Sequence, residues 1–72
     1  MKTFGKKEWG RVGKNIRQRR LERGWTQIQL ARMAGITSVT VCNIERGRTT
    51  PSLKTVFAIA MALRTNRYKL FE

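Results

Sequence analysis

Histidine and aspartate are absent from the sequence, and its four acidic residues are all glutamates. Histidine is the commonest general acid or base in enzymes, and no Gly-rich phosphate-binding loop is present. The single cysteine, Cys42, excludes an intramolecular disulfide, and a zinc site would lack both histidine and further thiolate ligands. We therefore expect no enzymatic activity, no metal and no cofactor.

Long apolar runs are also missing. The longest, VFAIAMAL at 56–63, is far shorter than the ~20 residues of a membrane-spanning helix. The N-terminal segment MKTFGKKEWG lacks the apolar core of a secretory signal. We expect a cytoplasmic protein without a membrane partner.

Positive charge is abundant instead. Among 72 residues there are 16 Lys and Arg, and the formal net charge is +12. Such an excess is typical of proteins that bind nucleic acid, although an anionic membrane surface or a merely solvated basic surface would also explain it. With 40% hydrophobic residues the chain can form one compact domain, and a chain this short would gain stability from dimerisation.

Helical periodicity runs through most of the chain. We interpret residues 1–8 as a basic N-terminal arm and residues 9–72 as one domain. In the first predicted helix, from about residue 8 to residue 23, the apolar residues at helical spacing are Trp9, Val12, Ile16 and Leu21. Gly24 is placed to end this helix. Trp25, like Trp9, is expected to pack near it.

Thr26 and Gly35 delimit a second predicted helix. Thr26 is a suitable N-cap, and Gly35 supplies a left-handed residue at the C-terminal end. The apolar face between them consists of Leu30, Ala31 and Ala34.

Pro51 is expected to begin a longer helix near the C-terminus. Its apolar residues at helical spacing are Leu53, Val56, Phe57, Ala60 and Leu63. Asn66 is expected to cap a last short turn. The residues of that turn which would form an interface or close the core are Tyr68, Leu70 and Phe71.

The segment ITSVTVCNIERG at 36–47 is ambiguous by itself. Its β-branched residues favour a strand, and polar and apolar residues alternate over part of it. A lone strand among helices would leave its backbone groups unpaired, which outweighs a propensity scale that spans about 1 kcal/mol. We therefore predict a helix that begins after Thr37, buries Val41 and Ile44, and ends at Gly47.

Taken in order, IRQRRLERGWTQIQLARMAGI, VTVCNIERGRTTPSL and AIAMAL resemble the phage-repressor and Cro-like (XRE-type) helix-turn-helix family. The resemblance extends from about Gly13 to Phe71, with the helix-turn-helix at residues 27–46. It implies an all-α, compact, four- to five-helix lambda-repressor-like DNA-binding domain. Arg64 and Arg67 stand where the family usually has a glycine and an apolar residue.

The family pattern gives a structural role to several residues of this sequence. A small residue lets the second and third helices cross, and here that residue is Ala31. Gly35 makes the turn between the two helices. The resemblance also implies a structural ion pair between Arg20 of the first helix and Glu45 of the third.

The resemblance further implies that the chain binds double-stranded DNA. Ser38, Val39 and Asn43 match the positions that usually face base edges. Gln27 matches a residue that binds a backbone phosphate. Further phosphate contacts are expected from Thr37, Thr40, Arg46, Arg48 and Thr49.

Two features have more than one functional interpretation. Lys2, Lys6 and Lys7 of the arm are candidates for DNA contacts, with a flexible solvated terminus as the alternative. Cys42 is expected to fill space, with a redox-sensing thiol as the alternative.

The resulting hypothesis is a transcriptional regulator, either a repressor or a controller, that binds double-stranded DNA sequence-specifically. It would act as a homodimer on a two-fold symmetric operator, and no small-molecule ligand is expected. The alternatives are an antitoxin with a toxin partner, a protein-interaction adaptor, and a non-specific nucleic-acid packaging protein. Salt dependence combined with sequence preference distinguishes them.

Overall fold

The computed structural model describes residues 4–72, which form five α-helices and no strand. The helices are α1 (Lys6–Glu22), α2 (Gln27–Ala34), α3 (Ser38–Glu45), α4 (Leu53–Ala62) and α5 (Arg67–Leu70). The prediction of an all-α domain of four to five helices is confirmed. In the described part of the chain, no helix has both the length and the apolar character needed to cross a membrane.

The first helix begins earlier than the apolar pattern indicates. Lys6 and Lys7 form part of its first turn and do not belong to an arm, while Lys2 lies outside the described residues. The Gly5 N–H donates to the Glu8 carboxylate over 2.6 Å, and this hydrogen bond lowers the pKa of Glu8. The carboxylate therefore stays charged at the positive end of the helix, which favours this start.

The buried face of α1 differs from the predicted one near its C-terminal end. Val12 and Ile16 are fully buried, and Trp9 packs against the core. The prediction that Leu21 belongs to this face is wrong, because Leu21 is 50% exposed whereas Arg20 is 6% exposed. Arg20 takes the inward position since it finds a buried carboxylate partner.

Side-chain caps delimit α2 and α3 as predicted. The Thr26 hydroxyl accepts the Gln29 N–H over 3.1 Å, and the Gln29 side chain accepts the Thr26 N–H over 2.7 Å. Gly35 has a φ of 71° and ends α2 in the left-handed conformation. The Thr37 hydroxyl then caps α3 by accepting the Thr40 N–H over 3.1 Å.

The segment that is ambiguous in the sequence, 36–47, is helical in its centre. As predicted, Val41 and Ile44 anchor it, with exposed fractions of 0% and 2%. All five helices contribute to one core, whose largest fully buried side chains are Val12, Ile16, Leu30, Val41, Ile44, Val56, Ile59 and Leu70. The segment is a helix and not a strand because every neighbouring element is a helix that can cover its apolar side.

The fourth helix turns a different face to the core than the predicted stripe. The buried members of that stripe are Val56, Ala60 and Leu63. Leu53 and Phe57, the other members of the stripe, are 76% and 48% exposed. Ile59, outside the predicted stripe, is fully buried. The buried face of α4 is therefore centred on the side of Ile59, away from Leu53 and Phe57.

Both ends of α4 differ from the simplest expectation. Pro51 precedes the helix by two residues, and Ser52 is the N-cap, whose hydroxyl accepts the Thr55 N–H over 3.2 Å. Arg64, after the helix, has a φ of 54° and is the only non-glycine residue with positive φ among residues 4–72. A left-handed residue with a Cβ costs about 1–2 kcal/mol, so arginine is strained where a glycine would not be.

The C-terminal turn closes the core. Asn66 caps α5 as predicted, because its side chain accepts the Lys69 N–H over 3.0 Å. Leu70 is fully buried, and the Phe71 ring lies 5.8 Å from the Trp9 ring, measured between centroids. Tyr68 stays 69% exposed, so only Leu70 and Phe71 serve the core.

Glycines let α1 cross α3 at backbone contact. A Cβ on Gly13 would overlap the Ile44 carbonyl oxygen and would lie 2.8 Å from that of Glu45. A Cβ on Gly47 would lie 2.9 Å from the Cα of Gly10. The first helix therefore rests directly on the C-terminal end of α3, which fixes the distance between them.

Gly13→Ala is expected to destabilise the fold by about 1–3 kcal/mol, because the added methyl group pushes α1 away from α3. Gly10→Ala is the matched control, since a Cβ at Gly10 meets nothing within 4 Å. Alanine there is expected to stabilise the helix by up to about 1 kcal/mol. Urea unfolding followed by circular dichroism measures both variants. Equal stability of the two would contradict the close approach at Gly13.

Candidate nucleic-acid interface

The outward face of α3 carries small and polar side chains. The opposite, buried side consists of Val41, Ile44 and Glu45. With 3.6 residues per turn, Val39, Asn43 and Arg46 share the outward side. Val39 is 67% exposed, Asn43 is half-buried and Arg46 is exposed. An uncharged pair, Val39 and Asn43, therefore forms the centre of this face, and a cation lies at its end.

Ser38 lies beside this face in the first turn of α3. It is half-buried and shares an edge of the helix with Cys42, four residues further on. Cys42 is a half-buried free thiol at the margin of the face. The three predicted base-facing residues, Ser38, Val39 and Asn43, thus lie within two turns of one another.

The hydroxyl oxygens of Thr37 and Thr40 lie 2.9 Å apart at the start of α3. One hydroxyl donates to the other, and Thr37 also accepts the Thr40 N–H. Each hydroxyl has a single proton, so the hydroxyl that accepts within the pair keeps its own proton for another acceptor. The pair can therefore cap α3 and still donate one hydrogen bond to a phosphate oxygen.

Cations lie in the segment that follows α3. Arg46, Arg48 and Thr49 are exposed, and the Arg48 N–H donates to the Asn43 carbonyl over 2.9 Å. Lys6, a candidate for DNA contacts already in the sequence, lines an open groove of about 230 Å³ together with Arg48 and Thr49. The sequence has no local signal for this closeness, because it depends on how α1 crosses α3.

A buried ion pair joins this region to α1. Nε and Nη2 of Arg20 donate to the two carboxylate oxygens of Glu45 over 2.7 Å and 3.0 Å. The two side chains are 7% and 2% exposed. Nη1 of Arg20 also donates to the Trp25 carbonyl over 2.7 Å. One guanidinium thus connects α1, the loop before α2, and the end of α3.

Gln27 is bonded to the same carboxylate. Its side-chain Nε2 donates to Oε1 of Glu45 over 3.1 Å. A carboxylate only accepts hydrogen bonds, so Glu45 determines which end of the Gln27 amide points inward. The second N–H on Nε2 can then donate outward, at the start of α2. The orientation of this predicted phosphate contact therefore depends on the Arg20–Glu45 pair.

A tight turn between two short helices, the second of which shows its outer face to solvent, is the arrangement of a helix-turn-helix protein. The family model described as Helix-turn-helix matches residues 16–70. The chain belongs to this family, and the predicted resemblance to phage repressors is confirmed.

Sequence relatives include phage and cellular regulators. The immunity repressor protein of Bacillus phage phi105 is 46% identical over 52 residues, which are 72% of this chain and 36% of that protein. The chain therefore corresponds to about a third of the length of this relative. An uncharacterized HTH-type transcriptional regulator of Methanothermobacter thermautotrophicus is 46% identical over 48 residues, or 67% of this chain and 70% of that protein.

Solved structures share the fold over most of the chain. The restriction-modification controller protein C.AhdI from Aeromonas hydrophila has a TM-score of 0.88 and 29% identity, and the match covers 90% of this chain and 98% of that one. The P22 c2 repressor, solved with a synthetic operator, has a TM-score of 0.80 and 30% identity over 85% of this chain and 92% of that one. The predicted lambda-repressor-like fold is confirmed.

Arg20→Met or Glu45→Leu alone is expected to cost about 3–5 kcal/mol, because each leaves a buried charge unpaired. That is a large part of the roughly 4–11 kcal/mol expected for a domain of this size. The double variant removes both charges and is expected to be clearly more stable than the sum of the single losses predicts. Urea unfolding of the four proteins measures this coupling. Additive losses would contradict it.

Proposed function

We propose that the chain is a transcriptional regulator that binds double-stranded DNA sequence-specifically by placing α3 in the major groove. The observation that carries this proposal is the outward face of α3, where uncharged Val39 is exposed and Asn43 is half-buried, with the exposed cations Arg46 and Arg48 at and beyond its C-terminal end. Membership of the helix-turn-helix family supports it. So do relatives named as a phage immunity repressor and a restriction-modification controller.

In this proposal the uncharged residues of α3 read the bases. An Asn side chain can bond bidentately to adenine, so Asn43 is assigned that contact. Val39 would press against a thymine methyl group, and the Ser38 hydroxyl can donate to or accept from a base edge. Small side chains suit this role because the helix backbone must approach the base pairs closely.

Phosphate contacts on both sides of α3 would set its register on the duplex. Gln27 would donate its outward N–H from the start of α2, and the Thr37–Thr40 hydroxyl pair would donate from the start of α3. The residues assigned to the phosphates beyond α3 are Arg46, Arg48 and Thr49. Such contacts hold any sequence equally, so they give affinity and orientation without specificity. A net charge of +12 would add long-range attraction that weakens with salt.

We further propose that the regulator acts as a homodimer through exposed apolar side chains of α4 and α5. These side chains are Leu53, Phe57, Met61 and Tyr68. The three on α4 follow each other at i, i+4 and i+8 and form one stripe. A second copy would cover the stripe in a two-fold contact and present two α3 helices to half-sites about 34 Å apart. A domain this small also gains most from such burial.

Selection from a randomised duplex library at near-physiological salt tests the function. We expect the bound fraction to be enriched in a two-fold symmetric sequence. Binding without enrichment would contradict specificity. Absence of binding would contradict the function itself.

A matched pair of variants on the selected duplex tests the roles of the residues. Asn43→Ala is expected to lose about 1–3 kcal/mol of binding and to relax preference at one base pair. Arg48→Gln is expected to weaken binding to all sequences alike and to lower the salt slope by about 1. Preserved sequence preference in Asn43→Ala would contradict the base-reading assignment.

Phe57→Glu is expected to make the protein monomeric, because it places a charge in the centre of the apolar stripe. Leu21→Glu is the control, since Leu21 is similarly exposed, at 50% against 48%, but lies on α1. Sedimentation equilibrium of both variants and the wild type measures the effect. A Phe57→Glu dimer as stable as that of the control would contradict this interface.

A further inference from the structure

The outward side of α1 carries cations that the interface described above does not use. Lys7, Arg11 and Lys14 are exposed and lie at i, i+4 and i+7, on one side of the helix. Together with Gly10 they line an open groove of about 280 Å³. These three cations are called the α1 basic row.

Folding of the helix accounts for the α1 basic row only in part. Like charges three or four residues apart repel each other along a helix, and cations near the N-terminus oppose the helix dipole. Within residues 4–72 the one ion pair is Arg20–Glu45, so the row forms no ion pair there. The Gly5 N–H and, to a smaller degree, the charges of Arg11 and Lys7 lower the pKa of Glu8, and Arg11 donates a long, exposed hydrogen bond of 3.5 Å to the Phe71 carbonyl. These contacts are exposed, and exposed polar contacts contribute little to stability.

Packing around Gly10 does not require a glycine at this position. Glycine weakens a helix relative to alanine, and a Cβ at this position would meet nothing within 4 Å. The missing side chain leaves the groove open to the helix backbone, between the side chains of the row. A ligand with negative charge can thus approach α1 closely there.

We propose that the α1 basic row binds the phosphate backbone of duplex DNA, an inference that rests on the proposed function. Lys6 shares a groove with Arg48 and Thr49, so the basic surface leads from the segment after α3 to the row. Lys7 and Lys14 are about 10 Å apart along the helix axis. A DNA strand carries one phosphate per about 3.4 Å of its axis, so three cations over this length match about three phosphates.

The variant Lys7→Gln, Arg11→Gln, Lys14→Gln in the full chain tests the proposal. The matched control is Arg32→Gln, Arg64→Gln, Lys69→Gln, which removes the same charge from exposed residues on other helices and loops. Binding of both to a long random-sequence duplex is measured over a series of salt concentrations. We expect the salt slope of the row variant to fall by about two to three units, and that of the control by less than one.

The folding of both triple variants is checked by thermal unfolding. Relief of like-charge repulsion and loss of the exposed Arg11–Phe71 hydrogen bond act in opposite directions, so we expect the row variant to unfold at a temperature close to that of the wild type. Equal changes of slope in the two variants would overturn the proposal, because net charge alone would then explain them. A larger loss of binding to anionic phospholipid vesicles than to DNA would also overturn it.

Two further measurements separate the possible sources of the phosphates. If the row contacts the flank of the duplex held by α3, lengthening the selected operator raises the affinity of the wild type and not of the row variant. If it contacts a second duplex, protein on an immobilised operator retains a labelled free duplex, and the row variant does not. If the wild type shows neither effect, the proposal is overturned. Failure of the proposed function would appear separately, as binding without an enriched sequence.

Discussion

The buried contact between Arg20 and Glu45 is the interaction on which the rest of the structure depends. It brings together α1, the loop before α2, and the end of α3, through hydrogen bonds that use both carboxylate oxygens. Leaving one of these buried charges unpaired would destabilise the fold far more than breaking a contact on the surface. The three segments that the pair joins therefore have little freedom to move relative to one another. Gly13 lets the helices meet at the backbone, so the same crossing is fixed by both charge and shape.

This crossing has a direct consequence for the proposed interface. Gln27 is bonded to Glu45, so its outward N–H keeps a constant relation to Val39 and Asn43 on α3. A contact that sets register is useful only when its distance from the reading residues is constant. The ion pair therefore links a residue assigned to the DNA backbone with residues assigned to the bases.

Charged and uncharged side chains occupy different parts of the surface around α3. The centre of the outward face of α3 is uncharged, whereas Arg46, Arg48 and Lys6 lie at its margins. Marginal cations attract any DNA, while an uncharged centre can favour particular base edges. This arrangement allows a protein with a net charge of +12 to discriminate among sequences in the proposed function.

Local signals predicted the ends of α2 and the start of α5, since a cap depends on few neighbouring residues, but they missed the start of α1 and the N-cap of α4. Thr26, Gly35 and Asn66 all act as their residue types indicate. The helical state of α3 is not predicted by its own residues, because its β-branched residues favour a strand. It is predicted only when the rest of the chain is taken into account. Only the absence of a pairing partner in an otherwise helical chain decided it.

Rotation of a helix about its axis was less predictable. Leu21 fits the apolar stripe of α1, yet Arg20 is buried because its partner, Glu45, lies 25 residues further along the chain. Leu53 and Phe57 likewise fit the stripe of α4 but remain exposed. In each case the buried face is chosen by elements distant in sequence, which periodicity within one helix does not contain.

Amide NMR of the full chain titrated with its selected duplex tests most directly whether α3 and the start of α2 meet the DNA. We expect the largest changes in amide chemical shift at Gln27, Val39 and Asn43, with further changes over residues 46–49. Changes concentrated on α4 and α5, with α3 unaffected, would contradict the assignment of α3 as the helix that reads the bases.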